Sequence, residues 1–264
     1  KINSDISYFS SHNLIGYKEG TTKPDEYLIF MAHWDHLGIN DELTGDQIFN
    51  GAADNAAGVA AVIELARKFD QVQTERSIIF TALTLEESGL LGSAYLAENP
   101  PVDLANVVAG FNFDRVLPTG KTKDMAVIGY GASELEDYLE EELEKQGRYI
   151  NPDPNPEKGY FYRSDHISFA KKGVPVLYSD DGFDLEDGGI EKGFNEIYDY
   201  TNFRYHGVDD EYDPSWNLEG FEQTINTIFN ISLDLSNSSD WPNWYEGNEF
   251  RATRDAQLSL KNTP

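Results

Sequence analysis

The sequence predicts an α/β protein, a three-layer α/β/α arrangement around a mostly parallel, mixed sheet. Two patterns carry that expectation. Apolar runs of strand length alternate with segments of helical periodicity, and such alternation places helices on both faces of a parallel sheet. The length, 264 residues, suits one α/β domain with a large core, so residues 1–264 are read as a single catalytic-size domain. No internal repeat or low-complexity linker divides the chain.

The strand-like runs are YLIFMAH (27–33), SIIFTALT (77–84), VVAGFNFD (107–114), DMAVIGY (124–130) and VPVLYS (174–179), all rich in β-branched or aromatic residues. The Ala-rich stretch at 55–69 has apolar residues at helical spacing. Another helix is predicted over 133–147, where Leu135, Leu139 and Leu143 form an i, i+4 stripe and Gly147 supplies a stop. Its acidic run reads as the wet face. A third helix fits 218–236. Pro152, Pro154 and Pro156 make 151–159 a loop, excluding helix and central strand. The Gly-, Asp- and Tyr-rich stretch from about 180 to 217 reads as long loops. The aromatic tail at 241–255 is expected to pack back on the domain.

Composition narrows the function. With 39% hydrophobic residues the chain can fold, so disorder is not expected. The net charge of −27 argues against nucleic acid or an anionic membrane surface as partner. It reads first as a solvated acidic shell, and second as an attraction for metals or substrates bearing a free ammonium group. Zero cysteines remove disulfides, thiolate-held zinc and thiol nucleophiles together. Any metal site must therefore be built from His, Asp and Glu. No apolar run reaches the roughly 18 to 20 residues that span a bilayer. The opening residues lack an initiator Met, consistent with a trimmed form. Oligomeric state is not legible.

In open α/β sheets, ligands bind beyond the carboxyl ends of the strands. One strand end after another here carries a metal-competent residue. The first closes on AHWDH, giving His33 and Asp35, which share a face by period 2 while His36 points away. Asp54 follows between Gly51 and Gly58, and Asp54 or Asn55 alternatively caps the Ala-rich helix. Glu86 and Glu87 stand side by side after the second strand, a repulsive pair unless a cation or a shared proton relieves it. Asp114 ends the third strand. Imidazole with hard carboxylates and no thiolate suits zinc, with manganese or cobalt as substitutes.

The segments AHWDHLG, NGAADNAAGVAAVIELAR, LTLEESGLLGSAYL, FNFD, YRSDHISFAKKGVPVLY and RYHGVDDEYD, in that order, resemble the M28 family of zinc exopeptidases, the co-catalytic aminopeptidases. The resemblance runs from about residue 13 to residue 235. It implies a phosphorylase/hydrolase-like zinc exopeptidase fold, two zinc ions, and peptide substrates with a free N-terminus. It implies that His33 binds one zinc with Asp35 steering its imidazole, that Asp54 bridges both ions, and that Asp114 completes the first site. Glu87 would bind the other zinc, and Glu86 would be the general base. For the last ligand, His206, preceded by Tyr205 and followed four residues on by Asp210, fits the family better than His166. Asp165 and His166 are then expected in a supporting shell, His166 either lining the pocket or serving as a satisfied structural histidine. Tyr205 and Arg163 would polarise the substrate carbonyl, with Tyr160 and Tyr162 competing for the tyrosine's role. Ala53, Ala57 and Gly207 depart from residues common in the family. The resemblance further suggests secretion or a periplasmic location, and a natural precursor with a leader or lid domain. The alternatives are a glutaminyl cyclase-like enzyme with one zinc, a non-catalytic binding relative of the same fold, and a hydrolase of non-peptide amides.

Overall fold

The computed structural model describes residues 6–261. Its main sheet has seven strands in the order β1-β5-β2-β6-β9-β7-β8. They are β1 (Leu14–Lys18), β2 (Lys23–His33), β5 (Arg76–Leu83), β6 (Val107–Asn112), β7 (Asp124–Val127), β8 (Tyr149–Pro152) and β9 (Val176–Asp181). A small ribbon of β3 (Gly38–Ile39) and β4 (Ile48–Phe49) lies outside it. The centre is parallel: β2 runs with β5 and β6, and β6 with β9. The mixing comes from β1, antiparallel to β5, and β7, antiparallel to β9.

The central strands are buried on both faces, and period 2 divides their side chains between two cores. Leu28, Phe30 and Ala32 of β2, with Ile78 and Phe80 of β5, face one way. There they meet Leu65 and Phe69 of α1 (Ala57–Asp70), Leu139 of α3 (Leu135–Lys145) and Ile228 of α6 (Glu219–Ser236). Ile29, Met31, Ile79 and Leu83 face the other way, against Leu96 of α2 (Leu91–Glu98) and Phe169 of α4 (His166–Ala170). This is the expected three-layer α/β/α architecture. Phe30 sits among aromatic rings, with centroids of Phe111, Phe80 and Phe69 at 5.3, 5.6 and 5.7 Å. Aromatic pairs at such distances add to the burial energy.

The tail does pack back, as α7 (Arg251–Lys261). Its Arg254 is fully buried and donates to the carbonyls of Val107 and Val108 at 3.0 and 3.1 Å, tying the tail to the start of β6. Trp244 is also fully buried and donates to the Gly173 carbonyl at 3.2 Å.

Two expectations need correction. Residues 180–217 are not loop throughout, because Gly189–Phe203 forms a fifteen-residue helix, α5. Gly and Asp dominate the composition there, yet Ile190, Phe194 and Ile197 recur at helical spacing, and Gly193 lets the helix approach the Phe183 carbonyl. The Pro-rich stretch at 151–159 is not wholly loop either. Its first two residues end β8, an edge strand paired only with β7, where proline does no damage.

Candidate metal centre

Strand register brings the chemistry together. His33 ends β2 opposite Leu83 of β5, and Met31 lies opposite Asn112 of β6. The residues just beyond these strands, Glu86–Glu87 and Asp114, therefore emerge around one point with His33. Asp54 arrives from the wide turn Ala52–Ala56 that leads into α1. The side chain of Asn55, not Asp54, caps that helix, accepting from the Gly58 amide at 3.0 Å. A Cβ on Gly58 would collide with this same oxygen.

Asp54 is the hub. Its Oδ1 lies 3.1 Å from His33 Nε2, and its Oδ2 lies 3.4 Å from His206 Nε2. Asp114 Oδ1 approaches His33 Nε2 at 3.3 Å, and Glu87 Oε2 approaches His206 Nε2 at 3.1 Å. Two groups able to hold an ion follow, His33–Asp54–Asp114 and His36–Asp54–Glu87, with the donor atoms of each within 4.8 Å of one another. They share Asp54. All five ligands expected from the sequence are thus brought together.

The electrostatics are those of a site built for positive charge. Burial alone would keep His33 neutral, yet Asp114 and Asp54 outweigh it and raise its pKa well above the usual value. Hydrogen bonds that its ring donates to Asp54 and Glu87 lift His206 to about 10. Burial disfavours the Glu87 carboxylate, but His206 and His36 prevail and bring it down to about 2. Each imidazole here does the work of a cation among carboxylates. Borderline nitrogen and hard oxygen donors fit zinc.

Second carboxylates hold the loops. Asp35 accepts from the amides of Glu86 (3.0 Å) and Glu87 (3.3 Å), while its own carbonyl, not its carboxylate, sits 3.1 Å from His33 Nδ1. Asp210 does the same for the Asp54 turn, accepting from Ala53 N at 2.9 Å and Asp54 N at 3.1 Å. Tyr200 of α5 donates to that carboxylate at 3.1 Å.

His36 was expected to point away, and it does not. Its Nδ1 lies 2.8 Å from Glu87 Oε1. Alternation fails because β2 stops at His33, and the chain turns before reaching His36. Gly51 fixes the ring's place, since a Cβ there would lie 2.6 Å from His36 Cγ. The repeated His in H-W-D-H was the available signal.

Around the centre, a cleft is lined by Asp54, Glu86, Asp114, Arg163, Tyr160 and Tyr205, among others. Glu86 is lifted to about 9, first by burial and then by the charge of Asp114. Tyr205 stacks on the His206 ring at 3.9 Å. Of the competing tyrosines, Tyr160 borders the cleft, whereas Tyr162 is exposed and donates to Glu249 at 2.8 Å. His166 is not among the cleft residues. It is fully buried between the rings of Phe161 and Tyr178, at 4.7 and 4.9 Å, and burial drives its pKa down to about 3. Asp165 is buried as well, and burial lifts its carboxyl to about 7.

The model of Peptidase family M28 matches residues 13–231. The chain belongs to peptidase family M28. A probable zinc metalloprotease of Pyrenophora tritici-repentis is 36% identical over 104 residues, covering 39% of this M28 chain and 24% of that protein. The chain thus spans less than a quarter of the length of these curated relatives. Among solved structures, the M28 fold here is similar to the LapA aminopeptidase of Legionella pneumophila (TM-score 0.63, 19% identity, 86% of this chain and 55% of that one). It is also similar to the glutaminyl cyclase of Porphyromonas gingivalis (TM-score 0.58, 18% identity, 84% and 77%). At these identities the structural likeness concerns the fold. No helix among the described residues is long and apolar enough to cross a membrane.

Proposed function

We propose that this chain is a metallo-aminopeptidase that hydrolyses the first peptide bond of substrates with a free N-terminus, using two zinc ions. The observation that carries this reading is the position of Asp54, with Oδ1 toward His33 and Oδ2 toward His206, between one set of donors and the other. His33 and Asp114 would hold one ion, Glu87 and His206 the other, and Asp54 both. His36 would brace Glu87.

When bound, such a pair supplies the positive charge that acidifies water and polarises a carbonyl. Glu86 receives the proton of the attacking water and delivers it to the leaving amine. Burial and the charge of Asp114 raise the Glu86 pKa and so its affinity for that proton. Tyr205, with its hydroxyl pKa raised by burial and by Asp54, stays protonated and donates to the developing oxyanion, together with Arg163. Asp35 and Asp210 keep the ligand loops in place.

The test is zinc quantification alongside hydrolysis of a panel of amino-acid anilides, with and without chelator. Two zinc ions per chain and chelator-sensitive release of anilide are expected. One zinc with cyclisation of an N-terminal glutamine, or no turnover at all in the zinc-loaded protein, overturns the reading.

A further inference from the structure

The cleft does not end at the metal centre. Past Arg115, Tyr160 and Asp180 it opens into a side pocket walled by Asp153, Lys158 and Asp181. Arg115 borders both spaces. It directly follows Asp114, and its backbone has φ of 62°, a left-handed conformation that turns the side chain sharply away from its neighbour's course. Asn55 Oδ1 accepts from its amide at 3.3 Å and pins that turn. The guanidinium is held at one corner, with Nη2 2.6 Å from Asp180 Oδ2. No other side-chain hydrogen bond of Arg115 is present among the described residues, and the side chain is 24% exposed.

Of the acids in this wall, Asp181 has both oxygens engaged, and Asp153 and Asp180 one each. Asp181 accepts from the Leu117 amide and the Thr224 hydroxyl, at 3.1 and 2.7 Å. Asp153 is buried and accepts from the Asn155 amide at 2.7 Å. Asp180 Oδ1 is buried without a hydrogen-bond partner. The cations are the opposite case. Lys158 and Arg163 flank the Tyr160 ring at 5.8 and 5.5 Å, and neither has a carboxylate within salt-bridge distance among the described residues. In a chain with 47 acidic and 20 basic side chains, two cations without a carboxylate partner, Lys158 in the side pocket and Arg163 in the adjoining cleft, call for an anion.

We propose that this side pocket recognises a substrate carboxylate, with Arg115 as the specificity-determining residue and Lys158 at the rim. The inference rests on the aminopeptidase reading. The carboxylate comes either from the side chain of an N-terminal Asp or Glu, or from the free C-terminus of a short peptide. Guanidinium and carboxylate match as fork and fork, which gives direction as well as energy.

The experiment compares kcat/KM of the zinc-loaded protein for glutamyl, aspartyl, leucyl and lysyl anilides, and for a dipeptide against its amide. A preference of about tenfold, the worth of one hydrogen bond to a charged group, is expected for the acidic anilides or for the free dipeptide. The first outcome identifies the side chain as the source and the second the C-terminus. Arg115→Met should shrink that ratio to near unity, and Arg115→Lys should restore part of it. Lys158→Ala, on an exposed residue that folding does not need, should reduce the ratio more at low salt than at high salt. Wild-type preference for leucyl or lysyl anilides with dipeptide and amide cleaved alike overturns the proposal. So does an Arg115→Met protein slowed equally on every substrate. Calorimetry on the metal-stripped protein separates the two readings: L-glutamate or a free dipeptide should bind more tightly than L-leucinamide, and Arg115→Met should lose the difference. If no anilide is cleaved, the aminopeptidase reading fails, and this binding comparison still decides the pocket.

Discussion

Asp210 grips Asp54 by the backbone, its two carboxylate oxygens receiving the consecutive amides of Ala53 and Asp54. The loop that carries His206, one proposed ligand, thereby sets the position of Asp54, another. Replacing Asp210 with Asn keeps the size but puts an amide where an acceptor must be. We expect zinc affinity to fall by about 10- to 100-fold, as for other residues that orient metal ligands. Competitive titration with a zinc chelator measures this, and unchanged affinity would refute the role.

Glu86 borders the cleft without belonging to either ligand group. Glu86→Gln is therefore expected to retain the wild-type zinc content while kcat falls by about 10²- to 10⁴-fold, the usual worth of a positioned proton carrier. Activity within a few-fold of wild type in the metal-loaded variant would remove Glu86 from the mechanism.

Three histidines stand in different relations to the proposed second ion. His206→Ala should lose about one zinc per chain, since it removes a donor that faces both Asp54 and Glu87. His36→Ala should weaken binding by less, and His166→Ala should leave zinc content unchanged. Elemental analysis of the three proteins ranks them, and full zinc content in His206→Ala would contradict the ligand assignment.

His166 also makes a prediction about acid. Its folded pKa, about 3, lies below its unfolded value of about 6.5. Between those values the unfolded chain binds a proton that the folded chain refuses, so stability falls as pH drops through this window. The contribution is fully present above about pH 6.5. It declines by about 1.4 kcal/mol per pH unit below that. Denaturant unfolding at pH 7 and pH 5 should show a shallower loss in His166→Gln than in wild type, compared as differences. Equal slopes would place His166 in a wetter setting than the one seen.

Much of the centre was legible in the sequence because strand ends are visible as abrupt changes from apolar to polar. His33, Glu86–Glu87 and Asp114 were found that way, with Asp54 marked by its glycines. His36 was misplaced because strand alternation was carried one turn beyond the end of β2. Helix α5 was missed because its two glycines, and the Gly- and Asp-rich sequence around it, mask three well-spaced apolar residues. The pairing of Arg115 with Asp180 joins residues 65 positions apart, and no local pattern announces it. Such contacts are set by the order of strands, which hydropathy does not encode.

Three residues without the freedom of glycine take left-handed backbone around the centre: Leu85 (φ 57°), Arg115 (62°) and His206 (56°). Each adjoins or is a residue of the proposed machinery, and each costs about 1 kcal/mol or more relative to an ordinary conformation. A search for heat-tolerant variants should therefore be drawn to glycine at Leu85, where no ligand is lost. The same change would loosen the hinge on which Glu86 and Glu87 turn, so durability and turnover should trade against each other at that one position.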